Sequence, residues 1–168
     1  MKPSSRMLSA LNDQITLELA SAMAYLQLAA YFRTADLPGM ATWMRAQSSE
    51  ELSHADRFIA HVIDRGERVH IGTIPSPDGE VGSPLQAFES AAEHEKRVSE
   101  SIRSLYRLAG EEGDIDALPV LQWFLNEQIE EEASVAEIMA RIRRAGDDGT
   151  ALLILDQELA RRSVADTP

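Results

Sequence analysis

Cysteine is absent from the 168 residues. That excludes disulfides, thiolate zinc sites, iron–sulfur clusters and a cysteine nucleophile. No uninterrupted apolar run approaches the roughly 20 residues of a membrane span. Basic residues are few: 16 Lys+Arg stand against 28 Asp+Glu, a formal net charge of −12. Such a chain repels nucleic-acid phosphate and anionic lipid, and it attracts cations or basic partners. The segment Met1-Lys2-Pro3-Ser4-Ser5-Arg6 runs into an amphipathic stretch rather than the apolar core of a signal peptide, so the expected compartment is the cytoplasm.

Helix breakers are missing from most of the chain. Gly and Pro are absent from 4–37, 40–65, 85–109, 120–145 and 150–167, while seven of the sixteen fall between Gly66 and Pro84. Both residues disfavour helix interiors. The pattern predicts four long helices, a shorter C-terminal helix and one long connection. Pro38-Gly39 reads as a turn between the first two helices, with Asp36 as the cap. No run alternates with period two, so essentially no strand is expected.

Apolar residues recur at three- and four-residue intervals along each helix. They are Leu8, Leu11, Ile15, Leu19, Ala22, Leu26 and Ala29 in the first, and Met40, Trp43, Met44, Phe58 and Val62 in the second. Helices of this length are rods of roughly 38–50 Å. The connection over 66–84 reaches about 60 Å when extended, enough to run the length of a bundle. The expected fold is all-α: a four-helix bundle with one long crossover, over about 5–145. A fifth helix at about 149–163 completes a single domain over 1–168.

Polar residues interrupt the buried stripes. On the first helix the stripe 11, 15, 18, 22, 25, 29 includes Glu18 and Tyr25; on the second, 40, 44, 47, 51, 54, 58 includes Glu51 and His54. On the third, 88, 92, 95, 99, 102, 106 includes Glu95; on the fourth, 121, 124, 128, 131, 135, 138 includes Gln128 and Glu131. Buried charges need partners or a metal. Four carboxylates and one histidine cannot satisfy one another, so a divalent cation is the natural neutraliser. The spacing repeats: Glu18 to Glu51 and Glu95 to Gln128 are both 33 residues, and Glu18 to His54 and Glu95 to Glu131 are both 36. Each helix pair thus sets one carboxylate opposite an i, i+3 pair. Six ligand-capable side chains suit two metal ions, and sulfur-free ligands suit iron or manganese, or zinc.

This constellation resembles the ferritins, specifically the bacterial non-haem ferritins, over about residues 5–163. Ferritin-like di-iron bundles pair two lone Glu helices with two Glu-x-x-His motifs. Here the second motif is Gln128-x-x-Glu131, a departure that favours ferritin proper over bacterioferritin. Bacterioferritin also places a haem-ligating Met directly after the second-helix Glu, where this chain has Leu52, so no haem is expected. Rubrerythrin-type domains add cysteines, and mini-ferritins build their site between subunits.

The resemblance implies a ferroxidase centre of Glu18, Glu51, His54, Glu95, Gln128 and Glu131, with Tyr25 beside it. Glu51 would bridge two irons, and Glu18 and His54 would complete one of them. Glu95 would hold the other, with Glu131 as a further or labile ligand and Gln128 close by. Glu50, Glu127 and Glu130 match residues that hold an additional iron in bacterial members. The implied activity is oxidation of Fe(II) by dioxygen or peroxide and storage of the ferric product inside a 24-subunit shell. The apolar segment Leu152, Leu153, Ile154, Leu155 and Leu159 would pack around its four-fold axis. Leu118 and Leu121 stand where animal ferritins carry channel carboxylates, so iron would enter by another pore. Glu132 reads as solvated, and His61, His70 and His94 as surface or interface histidines. Two other readings compete: a di-metal oxygenase, which needs a substrate pocket, and a non-catalytic assembly protein, which predicts broken ligand spacing.

Overall fold

The computed structural model describes residues 2–77 and 79–165, the side chains of 162–165 excepted. It contains α1 (Ser5–Thr34), α2 (Pro38–Asp64), α3 (Pro84–Glu111), α4 (Leu118–Ala145) and α5 (Gly149–Ala165), and no strand among the described residues. The helices begin where local chemistry starts them. Ser4 and Ser83 each accept a first-turn N–H, from Met7 at 3.1 Å and Gln86 at 3.2 Å. Pro38, Pro84 and Pro119 all occupy first-turn positions, where no N–H is needed. α2 stops at Gly66, whose φ of +76° turns the chain while its N–H and that of Glu67 satisfy the Ile63 and Val62 carbonyls.

The first turn differs from the sequence expectation. Pro38-Gly39 lies inside α2, and Asp36, at φ +56°, caps nothing there. The N-cap Leu37 offers no side-chain acceptor. Its substitute comes from 116 residues away: Met40 N–H donates to Asp156 Oδ1 of α5 at 2.7 Å. A Cβ on Gly39 would lie 1.8 Å from the Asp156 carbonyl oxygen, so only glycine admits this approach.

α1 pairs with α2 and α3 with α4; α1 also packs on α3, and α5 docks on α2 and α4. The three-residue link between α1 and α2 makes them an antiparallel hairpin. The core is split. Tyr25, Phe32, Met40, Met44, Phe88, Val135 and Ile138 fill one end with Leu155 and Leu159 of α5. Met7, Leu11, Ile15, Phe58, Ile102, Leu121 and Phe124 fill the other. Between them lies a buried polar layer. α1 itself has an 18-residue window of mean hydropathy 1.2, long and apolar enough to cross a membrane by composition. Half of that window is buried within the bundle, where it serves as core. Leu26, assigned to the apolar face, is 37% exposed, and Leu153 and Ile154 are each 53% exposed.

Candidate metal centre

All four long helices contribute to the polar layer. α1 supplies Glu18 and Tyr25, α2 supplies Glu51 and His54, α3 supplies Glu95, and α4 supplies Gln128 and Glu131, every one of them buried. The four stripes thus share one buried layer. Burying charge without a partner is unfavourable, so the hydrogen bonds identify which groups are satisfied.

One half of the layer gathers ligand atoms that could hold a cation. Ligand atoms of Glu18, Glu51 and His54 all lie within 4.8 Å of one another. Glu18 Oε2, both Glu51 carboxylate oxygens and His54 Nδ1 have no hydrogen-bond partner, although His54 Nδ1 lies 3.5 Å from Glu51 Oε2. Gln14 Nε2 donates to the remaining Glu18 oxygen, Oε1, at 2.8 Å, and Ser101 Oγ in turn donates to Gln14 Oε1. The His54 ring is held edge-on against Trp123 and Phe124 at 5.6 and 5.4 Å, and the Arg57 guanidinium covers Trp123 at 3.8 Å.

The other half is tied by protein hydrogen bonds. Tyr25 OH donates to Glu95 Oε1, and Gln128 Nε2 donates to Glu95 Oε2 at 3.0 Å. Gln47 Nε2 lies between two carboxylates, 2.9 Å from Glu50 Oε2 and 3.2 and 3.3 Å from the Glu131 oxygens. A second group of ligand atoms within 4.8 Å joins Glu50, His54 and Glu127. Glu130 is exposed and belongs to neither group. Leu121 is fully buried in the core, so its side chain lines no channel.

Burial dominates the electrostatics. It holds the Glu18 and Glu51 carboxyls well above the usual carboxylate range, with Glu51 adding to the effect on Glu18 and Glu95 to that on Glu51. Burial raises Glu95, while its bonds from Tyr25 and Gln128 oppose the rise. Glu131 is pushed up to about 9 by burial and by Glu95, Glu50, Glu127 and Glu130. Tyr25 is likewise raised, by burial and then by Glu95. A cation entering this layer displaces protons and replaces repulsion by attraction.

Several site residues escaped the sequence reading. Gln47 and Ser99 lie on the stripes themselves, at 47 and 99, but a neutral polar residue on a helix face carries no sequence signal of a metal site. Gln14, four residues before Glu18, follows the same logic. Of the set-aside histidines, His61 is half-buried, with Nε2 3.2 Å from Arg65 Nη1.

Known proteins place this architecture. A profile of the ferritin-like domain matches residues 8–145. The bacterial non-heme ferritin of Bacteroides fragilis (strain 638R) is 36% identical over 159 residues, covering 95% of this chain and 99% of that protein. That of Staphylococcus haemolyticus is 35% identical over 160 residues, covering 95% and 96%. The crystal structure of an open pore ferritin from the hyperthermophilic archaeon Archaeoglobus fulgidus superposes with a TM-score of 0.93 at 43% identity, over 95% of this chain and 98% of that one. A bundle matched from α1 to α4, with four polar stripes meeting in one buried carboxylate layer, belongs to the ferritin family of iron-storing ferroxidases.

Proposed function

We propose that the whole chain works as one domain that oxidises Fe(II) at a two-iron site within each subunit. The observation that carries this is the cluster of unpartnered ligand atoms on Glu18, Glu51 and His54. Glu18 and His54 hold one iron, and Glu51 bridges it to a second. Glu95 and Glu131 hold the second, with Gln128 alongside. Tyr25 steadies Glu95 through its hydroxyl. Glu50 and Glu127, with Glu130 nearby, form a third position for iron.

Iron is the substrate. Two Fe(II) ions each lose one electron, and dioxygen or peroxide takes up the pair. The protein's part is positional and electrostatic. Its carboxyls hold protons until Fe(II) displaces them, and the carboxylates then favour the higher charge of Fe(III). Ferric product hydrolyses and accumulates as mineral in a shell of 24 chains, with no haem. α5 supports the shell: Leu153 and Ile154 face outward from a helix whose other side is already buried. A cytoplasmic location follows from the same reading.

The test is addition of a few Fe(II) equivalents to metal-free protein in air, followed by ferric absorbance. The Glu51→Ala, His54→Ala double variant is the control. Fast oxidation in the wild type and near-background oxidation in the variant are expected. Equal, slow traces would remove the ferroxidase assignment and leave only the bundle.

A further inference from the structure

Gln128 can present either end of its amide to the metal layer. The terminal torsion of a glutamine is broad and nearly two-fold, so its neighbours decide the orientation. Three acceptors surround Gln128 Nε2: Glu95 Oε2 at 3.0 Å, Ser99 Oγ at 3.3 Å and the Glu95 main-chain oxygen at 3.4 Å. Ser99 accepts because its single proton is engaged elsewhere: its hydroxyl donates to Glu132 Oε1. The other end of the amide, Gln128 Oε1, is left buried without a partner.

From this we infer that Glu132, acting through Ser99, is a positioning residue for the iron site. It fixes the Gln128 amide with its oxygen free to serve a metal ion or a metal-bound water. The inference rests on the two-iron reading above. Glu95 cannot hold the amide alone, because a carboxylate that turns to a metal withdraws the 3.0 Å acceptor. Ser99 is then the side-chain acceptor that remains. Without Glu132, the Ser99 proton becomes available to Gln128 Oε1. The amide then turns over and offers its N–H groups to a cation.

Glu132 is not itself a ligand candidate. Its side chain is 42% exposed, and its other partner is Arg103 Nη2 at 3.3 Å. The surface pair Arg103–Glu132 and the relay Glu132–Ser99–Gln128 are separable by substitution. Glu132→Gln retains an oxygen that accepts from Ser99 but removes the ion pair. Glu132→Ala removes both.

The experiment titrates metal-free, assembled protein with Co(II) under nitrogen and follows the visible d–d bands. Glu95→Ala identifies which equivalent belongs to the Glu95 position. In Glu132→Ala and Ser99→Ala, that equivalent should bind about tenfold more weakly with shifted bands, the usual scale for an outer ligand contact. The Glu18–Glu51–His54 equivalent should be unchanged. Glu132→Gln should match the wild type, and the double variant Ser99→Ala, Glu132→Ala should be no weaker than either single one. Unchanged affinity and bands in Glu132→Ala overturn the relay. So does a Glu132→Gln variant that behaves like Glu132→Ala, since that assigns the effect to Arg103. Fewer than two Co(II) per wild-type chain would instead refute the two-iron reading and this inference with it.

Discussion

Glu131 makes the metal-free protein sensitive to alkali in a calculable way. Its carboxyl is 5% exposed and is raised from 4.5 to about 9. Between those values the folded chain keeps a proton that the unfolded chain has shed. The contribution of this group to stability is therefore fully present below the unfolded pKa and is lost as pH rises toward the folded one. One proton of difference costs about 1.4 kcal/mol per pH unit, so raising pH from 6 to 8 costs roughly 3 kcal/mol. For a domain of this size each kcal/mol moves the midpoint by about 2–4 °C, giving roughly 5–11 °C. Glu131→Gln abolishes the titration and leaves an oxygen for the Gln47 amide. In chelator, scanning calorimetry at pH 6 and pH 8 should show the wild-type midpoint falling further than the variant's by that amount. Glu18, Glu51 and Glu95 push the same way in both proteins, so the difference reports Glu131 together with its coupling to Glu51 and Tyr25. Saturating divalent cation should cancel the wild-type loss, because it replaces the proton. Parallel pH dependence in the two proteins would refute the reasoning.

Four further outcomes are expected. Asp156→Ala removes the cap on Met40 N–H and should cost about 1–2 kcal/mol, read as a lower thermal midpoint without loss of metal binding. Gly39→Ala drives a Cβ into the Asp156 backbone, 1.8 Å away, and should exceed Asp156→Ala in cost; a smaller effect would mean that α5 docks more loosely than its contacts imply. Arg65 binds Asp114 through two nitrogens at 2.7 and 2.9 Å, with both side chains over nine-tenths buried. Arg65→Ala leaves that carboxylate alone and should cost about 3–5 kcal/mol in a denaturant titration. Tyr25→Phe keeps the edge contact with Trp43, at 6.3 Å, but frees Glu95. It should change stability by about 1 kcal/mol. Oxidation kinetics should change while the Glu18–Glu51–His54 equivalent still binds.

The bundle was readable because Gly and Pro delimit it and the apolar stripes run through every long helix. Pro38 reads as a turn for a local reason: proline both ends helices and begins them, and composition does not distinguish the two. The true cap of α2 was invisible because Asp156 is distant in sequence and meets Met40 only in the folded chain. At the site, charged residues on buried stripes announced themselves through the cost of burial. Gln47 and Ser99 sat on the same stripes but carry no charge, so nothing marked them as different from polar packing residues. Glu132 reads as solvated from its helix alone, yet it is only partly exposed and accepts from buried Ser99; that bond depends on how α3 and α4 abut, which single-helix periodicity does not encode.

The placement of Asp156 has a consequence during synthesis. A ribosome releases α1 to α4 before α5, so the acceptor that closes the start of α2 emerges well after the helix it caps. Leu155 and Leu159, which complete one end of the core, arrive with it. A chain interrupted before α5 leaves an open helix end and a gap in its apolar packing, both on the side where α5 docks. Fitness for assembly thus waits on α5, and a chain that lacks it is marked by the surface it fails to cover.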